Sequence, residues 1–80
     1  MIEFYRLPGC PYCHRVERVL EQLALEYDPI DVPRPRAARD EVERISGQRG
    51  VPVITDPAND VHGMAESADI VEYLHETYDE

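Results

Sequence analysis

Apolar and polar residues alternate from Ile2 to Arg6, with Ile2, Phe4 and Arg6 on one side and Glu3 and Tyr5 on the other. A period of two marks a strand, and Leu7-Pro8-Gly9 ends it. The period then lengthens. Val16, Val19, Leu20 and Leu23 recur at i, i+3, i+4 and i+7, one apolar stripe on an amphipathic helix running from Cys13 to about Ala24. Leu25 to Val32 reads as a second strand; Pro29 inside it cannot donate to a ladder, so this strand is expected at a sheet edge. The stretch Val32-Pro33-Arg34-Pro35-Arg36 is too rich in proline to be helical throughout. Beyond it Ala38, Val42 and Ile45 predict a second helix that stops at Ser46-Gly47, where glycine suits the position after the last turn. Val51 to Thr55 predicts a third strand opened by Pro52, Asp56 to Asp60 a turn, and Val61 to Met64 a fourth strand. A last helix is expected from Ser67, with Ile70, Val71, Leu74 and Tyr78 on its apolar side.

The order is strand, helix, strand, helix, hairpin, helix. Its first unit implies two parallel strands joined by a right-handed crossover. The hairpin adds an antiparallel pair, so the sheet is mixed and the helices cover it. Eighty residues make one domain, expected over residues 1–80, and the 42% apolar content is enough for a core. No apolar run reaches the length of a membrane span, and the opening MIEFYRLP shows no signal-like apolar segment. The expected compartment is the cytoplasm, where paired cysteines point to redox or metal chemistry rather than to a structural disulfide.

Charge narrows the partners. Seventeen acidic residues face eight basic ones, all arginine, and the net charge is −9. Nucleic acid and anionic membrane surfaces would repel such a chain, so neither is expected as a partner. A strongly acidic, lysine-free composition resembles that of proteins from salt-loving organisms, and a halophilic source is the expectation.

Both cysteines fall within Gly9-Cys10-Pro11-Tyr12-Cys13-His14. Three chemistries use such a pattern. Haem attachment through C-x-x-C-H belongs to exported proteins, which this chain does not resemble at its start. Structural zinc needs four ligands, and beyond the two cysteines only His14, His62 and His75 are available, at no tight zinc-finger spacing. A redox dithiol fits the position. Cys10 stands at the start of the first helix with Pro11 suited to an early helical site. The free N–H groups and positive dipole end there stabilise an anion, and thiolate is the nucleophilic form of cysteine. Arg15 and Arg18 add positive charge. Cys13 lies one turn on, on the same side and less exposed, as a resolving thiol should be.

Cys10-Pro11-Tyr12-Cys13 between a first strand and a first helix resembles the dithiol motif of glutaredoxins. The resemblance covers nearly the whole chain and implies a thioredoxin fold, an α/β architecture with a four-stranded mixed sheet flanked by three helices. Gly47-Gln48-Arg49-Gly50-Val51-Pro52-Val53 is similar to the glutaredoxin loop that leads into a cis-proline. There the residue before the proline, here Val51, pairs with the backbone of the bound thiol, and Gln48 and Arg49 would approach its glycine carboxylate or stand as a solvated loop. Glu66-Ser67 ahead of an apolar helix is similar to the N-terminal domain of glutathione transferases, where such a pair holds the γ-glutamyl head. The same Ser67 also suits a helix cap, and helix N-termini receive carboxylates readily. Tyr12 would line the groove. The chain departs from the family in two places: the lysine that often stands a few residues before the first cysteine is missing, Arg6 standing slightly earlier with Leu7-Pro8 intervening, and Gly63-Met64-Ala65 replaces a Gly-Gly pair.

The resemblance implies a glutaredoxin-like thiol-disulfide oxidoreductase with Cys10 as nucleophile and Cys13 as resolving thiol. It implies no permanently bound cofactor and no metal, with glutathione or γ-glutamylcysteine as co-substrate, protein disulfides as partners and a monomer as the working form. The all-helical second domain of a transferase is not expected, so conjugation ranks below redox exchange. The alternatives are a carrier of an iron–sulfur cluster and a thioredoxin-like electron carrier that uses no low-molecular-weight thiol.

Overall fold

A computed structural model describes residues 1–78 of the chain. It contains strand β1 (Ile2–Arg6), helix α1 (Pro11–Gln22), strand β2 (Tyr27–Asp31), helix α2 (Asp40–Ser46), strand β3 (Val53–Asp56), strand β4 (Val61–Ala65) and helix α3 (Ser67–Tyr78). The sheet runs β2-β1-β3-β4. β1 pairs parallel with β2 and antiparallel with β3, and β3 pairs antiparallel with β4. This is the thioredoxin fold. Pro29 lies opposite Phe4 on β2, the edge strand, where its missing N–H leaves no gap between two partners.

The sheet has a core on each face. Ile2 and Phe4 of β1 and Ile54 of β3 pack against Val16, Val19 and Leu20 of α1 and Ile70 and Leu74 of α3. On the other face Tyr5, Val32 and Val53 meet Val42 of α2. Period-two alternation along β1 thus feeds both cores, since Phe4 and Tyr5 are both buried. No described helix is long and apolar enough to cross a membrane.

Some boundaries differ from the sequence expectation. α1 begins at Pro11, two residues before Cys13, because proline at the first helical position needs no partner for an N–H. Its far end is Gln22 rather than Ala24, which turns into the left-handed region at φ 54°. The second helix splits: residues Arg36–Ala38 form a 3-10 turn, Arg39 leaves helical geometry, and α2 follows. Gly47 closes α2 at φ 81°, as its position after Ser46 predicts. β3 starts at Val53 rather than Val51 because Pro52 has no N–H for the ladder. The turn after β3 contains a 3-10 segment, Pro57–Asn59, with Asp60 left-handed behind it.

Tyr78, read from the sequence as an apolar position, has a polar task. Asp56 at the end of β3 is 1% exposed, and its Oδ2 accepts hydrogen bonds from Tyr78 Oη, from Tyr73 Oη at 2.7 Å and from Asn59 Nδ2 at 3.0 Å. Burial raises the proton affinity of this carboxyl, but the three donors outweigh it and hold the group below its ordinary value. The cluster ties the last turn of α3 to the β3–β4 corner.

Candidate functional site

The ends of β1 and β2 open at the same edge of the sheet because the strands are parallel, and the candidate site forms there. Cys10 occupies the cap position of α1 in extended geometry. Its N–H donates to Leu7 O at 3.1 Å, and its carbonyl accepts the N–H of His14 at 3.0 Å. Its sulfur accepts the N–H of Cys13 at 3.3 Å, so the thiol group does what a serine or aspartate does at other helix starts. Cys10 is half-buried, whereas Cys13 is 3% exposed inside the larger core. Burial, then the hydrogen bond with Cys10, pushes the Cys13 thiol up to about 12. Two cysteines one turn apart therefore differ in environment: Cys10 is half-buried at a helix N-terminus, and Cys13 stays a neutral thiol inside the core. Both are free thiols in this structure.

Beside them lies a groove of about 340 Å³. Tyr12, 63% exposed, forms one wall with Gly50, Val51 and Pro52. The Val51-Pro52 peptide is cis, as the loop resemblance implies. Glu66, Ser67, Gln48 and Arg36 complete its lining, with Arg36 Nη2 and Gln48 Nε2 both reaching the Gly50 side. Six of the site residues expected from the sequence, Tyr12, Gln48, Val51, Pro52, Glu66 and Ser67, thus share one groove.

Arg49 is the exception. Its Nη2 lies 2.8 Å from Asp40 Oδ1 and its Nε 3.0 Å from Glu43 Oε2, while Nη1 donates to Ala37 O at 3.1 Å and Arg36 O at 3.3 Å. With its donors turned to α2 and the preceding 3-10 turn, Arg49 acts on the groove only by holding the backbone of Arg36. Arg36 brings the cation instead, and no local pattern marks it in the connector just after Pro35.

A second arginine missing from the sequence reading supports that segment. Arg39 is 7% exposed and faces carbonyls rather than carboxylates: Nε donates to Pro33 O at 2.7 Å, Nη2 to Arg34 O at 2.9 Å and Nη1 to Arg49 O at 3.2 Å. One guanidinium therefore joins the linker before α2 to the loop after it. Arg39→Met leaves these carbonyls without their donor and is expected to lower stability by about 2 kcal/mol. Arg39→Lys, which keeps the charge but not the planar fork, should recover only part of the loss. Urea unfolding of the two variants beside wild type checks the ranking.

Glu66 and Ser67 also differ from expectation. The carbonyl of Glu66 accepts the first helical bond of α3, from Ile70 N at 3.0 Å, so Glu66 and not Ser67 holds the cap position. Glu66 sits at φ 72°, a left-handed geometry that side chains other than glycine rarely adopt. Strain at a groove residue is a pointer toward function when it is observed rather than assumed. Among the described residues no group of three or more His, Cys, Asp or Glu is arranged to hold a metal ion.

Comparison with known proteins gives this geometry relatives. Residues 4–80 match the family described as glutathione S-transferase, N-terminal domain. A glutaredoxin-like 8.6 kDa protein from the rubredoxin operon of Clostridium pasteurianum is 31% identical over 64 residues, 80% of this chain and 85% of that protein. Glutaredoxin 3 of Escherichia coli is 31% identical over 62 residues, 78% of this chain and 75% of its own. The gene 56 protein of Mycobacterium phage D29 is 38% identical over 53 residues, covering 66% of this chain and 59% of the phage protein. Among solved structures, the glutathione transferase URE2P6 of Phanerochaete chrysosporium in complex with oxidized glutathione superposes with a TM-score of 0.89 at 27% identity. The superposition takes in 99% of this chain but only 37% of the transferase.

Proposed function

The chain belongs to the thioredoxin-fold family of glutaredoxins and glutathione S-transferase N-terminal domains, and on that footing we propose that it is a dithiol oxidoreductase acting on disulfides that contain a γ-glutamyl thiol. The observation that carries the reading is the unequal pair: a half-buried Cys10 at the N-terminus of α1 beside a buried, protonated Cys13. Residues 1–80 act as one domain and as a monomer.

In the proposed cycle, Cys10 Sγ attacks the thiol-side sulfur of a mixed disulfide, forms a new disulfide with that thiol and expels the protein's cysteine as thiolate. A second molecule of the thiol then attacks the adduct, leaving as a symmetric disulfide and returning Cys10 to its starting state. Alternatively Cys13 gives up its proton and attacks Cys10, which releases the thiol and leaves a Cys10–Cys13 disulfide. The first route consumes one thiol molecule for each substrate, the other half of the symmetric disulfide coming from the substrate itself. The second oxidises Cys10 and Cys13 together, and two further thiol molecules restore them as a symmetric disulfide forms. The cis Val51-Pro52 segment and Tyr12 frame the thiol's middle. Glu66 suits its ammonium group, and Ser67 with the free N–H groups of α3 suits the adjacent carboxylate.

Arg36 and Gln48, both near Gly50, suit a second carboxylate. Glutathione carries it on its glycine, whereas γ-glutamylcysteine ends one residue earlier, at the carboxylate of its own cysteine. Arg36→Leu is therefore expected to raise KM about tenfold for glutathione disulfide, the worth of one charge-assisted contact, and less than threefold for bis-γ-glutamylcystine. Steady-state kinetics with both disulfides checks this, and an unchanged KM for both would remove Arg36 from the groove's work.

Glu66 offers a complementary test. Glu66→Gly removes the carboxylate but relieves the left-handed strain of about 1 kcal/mol. We expect its melting temperature to equal or exceed that of wild type while KM rises about tenfold with both thiols. A variant that is destabilised with KM unmoved would mark Glu66 as a structural residue only.

A further inference from the structure

Charge is unevenly placed on this acidic chain. Four segments meet at the dithiol end of the sheet: residues 4–16 from β1 into α1, residues 32–39 after β2, residues 46–55 leading into β3, and Glu66-Ser67 at the start of α3. Glu66 is the one acidic residue among them, and together they hold Arg6, Arg15, Arg34, Arg36, Arg39 and Arg49, six of the eight arginines. A protein with a net charge of −9 thus has a cationic pole, and Cys10 sits in it.

Much of that charge is already engaged. Arg6 is paired with Glu17 at 2.5 Å and Asp31 at 2.9 Å, Arg49 with Asp40 and Glu43, and Arg39 is buried on carbonyls. Arg15 and Arg18 on α1 have no ion pair among the described residues. Glu17 between them turns the other way, to Arg6 and Tyr27. Arg15 and Arg18 stand exposed with His14 along one stripe of α1, lining a shallow concavity of about 310 Å³ that begins at Pro11, directly after Cys10. The γ-glutamyl groove opens on the Tyr12 side of the motif; this stripe is not part of its lining.

We infer that the His14–Arg15–Arg18 stripe is the docking face for the protein half of the mixed disulfide, and that it fits a polypeptide segment whose cysteine is flanked by aspartate or glutamate. The inference rests on the proposed redox reading and names the partner for that site. The physical argument is one of orientation. The unpaired cations beside Cys10 belong to a protein of net charge −9, so the remaining surface on balance repels an acidic segment and the approach that brings it to Cys10 is the favoured one. A basic segment would be drawn to the remaining faces, where no thiol waits. Charge at this place selects both the partner's sign and its pose.

The test uses two synthetic peptides, each with one cysteine in mixed disulfide with whichever thiol the wild type turns over, flanked by acidic residues in one and basic residues in the other. We expect wild type at about 0.05 M salt to favour the acidic peptide about tenfold or more in kcat/KM, and the preference to shrink at 1 M salt as screening shortens its reach. The variant R15E/R18E should reverse or erase the preference, read as the ratio of the two peptides' kcat/KM values so that any change in Cys10 reactivity common to both cancels; a wild-type circular dichroism spectrum shows that it is folded. No preference in wild type, or a preference that survives in R15E/R18E, overturns the docking face and leaves the redox reading standing. Failure of wild type to turn over any small disulfide overturns the redox reading, and the docking face with it.

Discussion

Gly63→Ala is expected to leave the protein largely unfolded at physiological temperature. Gly63 lies in β4 at φ 69°, and a Cβ built there would stand 2.0 Å from the carbonyl oxygen of Ile45, 2.6 Å from its carbon and 3.1 Å from Ser46 Cα. All three are backbone atoms at the end of α2, so no side chain can swing aside. The strand is itself fixed, because Gly63 N donates to Thr55 Oγ1 at 3.0 Å. Relief requires α2 and β4 to part, which opens the smaller core around Val42 and Val53. The left-handed geometry adds about 1 kcal/mol for any residue with a Cβ, and overpacking against backbone adds several more. A domain of this length has only ~4–12 kcal/mol in total. Thermal unfolding should show a midpoint about 15 °C or more below wild type; a midpoint within about 3 °C would show that the α2–β4 contact yields easily.

Gly63 also marks the limit of what the chain reveals before it folds. The sequence shows a glycine that interrupts a short strand, and nothing near it names Ile45 as the backbone it must clear. Local patterns were fully legible: the period-two start, the stripe of Val16, Val19, Leu20 and Leu23, the glycine that stops α2 and the proline that sends β2 to the edge. Each of these depends on neighbours within one or two turns, which is why the order of elements and the fold could be read. The groove was legible only where a compact motif carries its own resemblance, as at Cys10–Cys13, Val51-Pro52 and Glu66-Ser67.

Directions of long side chains were not legible. Arg49 stands in the expected loop, yet Asp40 and Glu43 on α2 claim its guanidinium. Arg36, which faces the groove instead, sits in a proline-rich connector with no periodicity to expose it. One general signal could have found it: the carboxyl ends of neighbouring parallel strands open on the same side, and ligands in α/β sheets gather there. The linker following β2 was therefore a place to look for groove residues. Tyr78 failed for a related reason, since an aromatic at helical spacing counts as apolar until its hydroxyl meets Asp56 across the fold.

The two cysteines should separate cleanly when each is changed to serine. Cys10→Ser is expected to lower turnover of every disulfide by at least about a thousandfold, because a serine hydroxyl does not ionise near neutral pH and does not attack sulfur. Cys13→Ser should keep the route that uses a second thiol molecule and lose the route that ends in a Cys10–Cys13 disulfide. Incubated with the symmetric disulfide and freed of excess thiol, it should gain the mass of one thiol on Cys10, whereas Cys10→Ser should gain none. The pH dependence gives a second signature. Burial first, then the hydrogen bond and charge of Cys10, push the Cys13 thiol up to about 12; an adduct on Cys10 removes its contributions and leaves burial, the largest cause, to keep the thiol raised. A thiol titrating that high has a thiolate fraction that rises about tenfold for each pH unit through the neutral and mildly alkaline range. In wild type the formation of the internal disulfide from the Cys10 adduct should therefore accelerate steadily with pH over this range, with no plateau near neutrality. Stopped-flow mixing followed by acid quench and intact mass reads both species at once. A rate that levels off between about pH 7 and 8 would mean that Cys13 sheds its proton far more easily than its burial predicts, and that the core opens around it once Cys10 is bonded to the thiol.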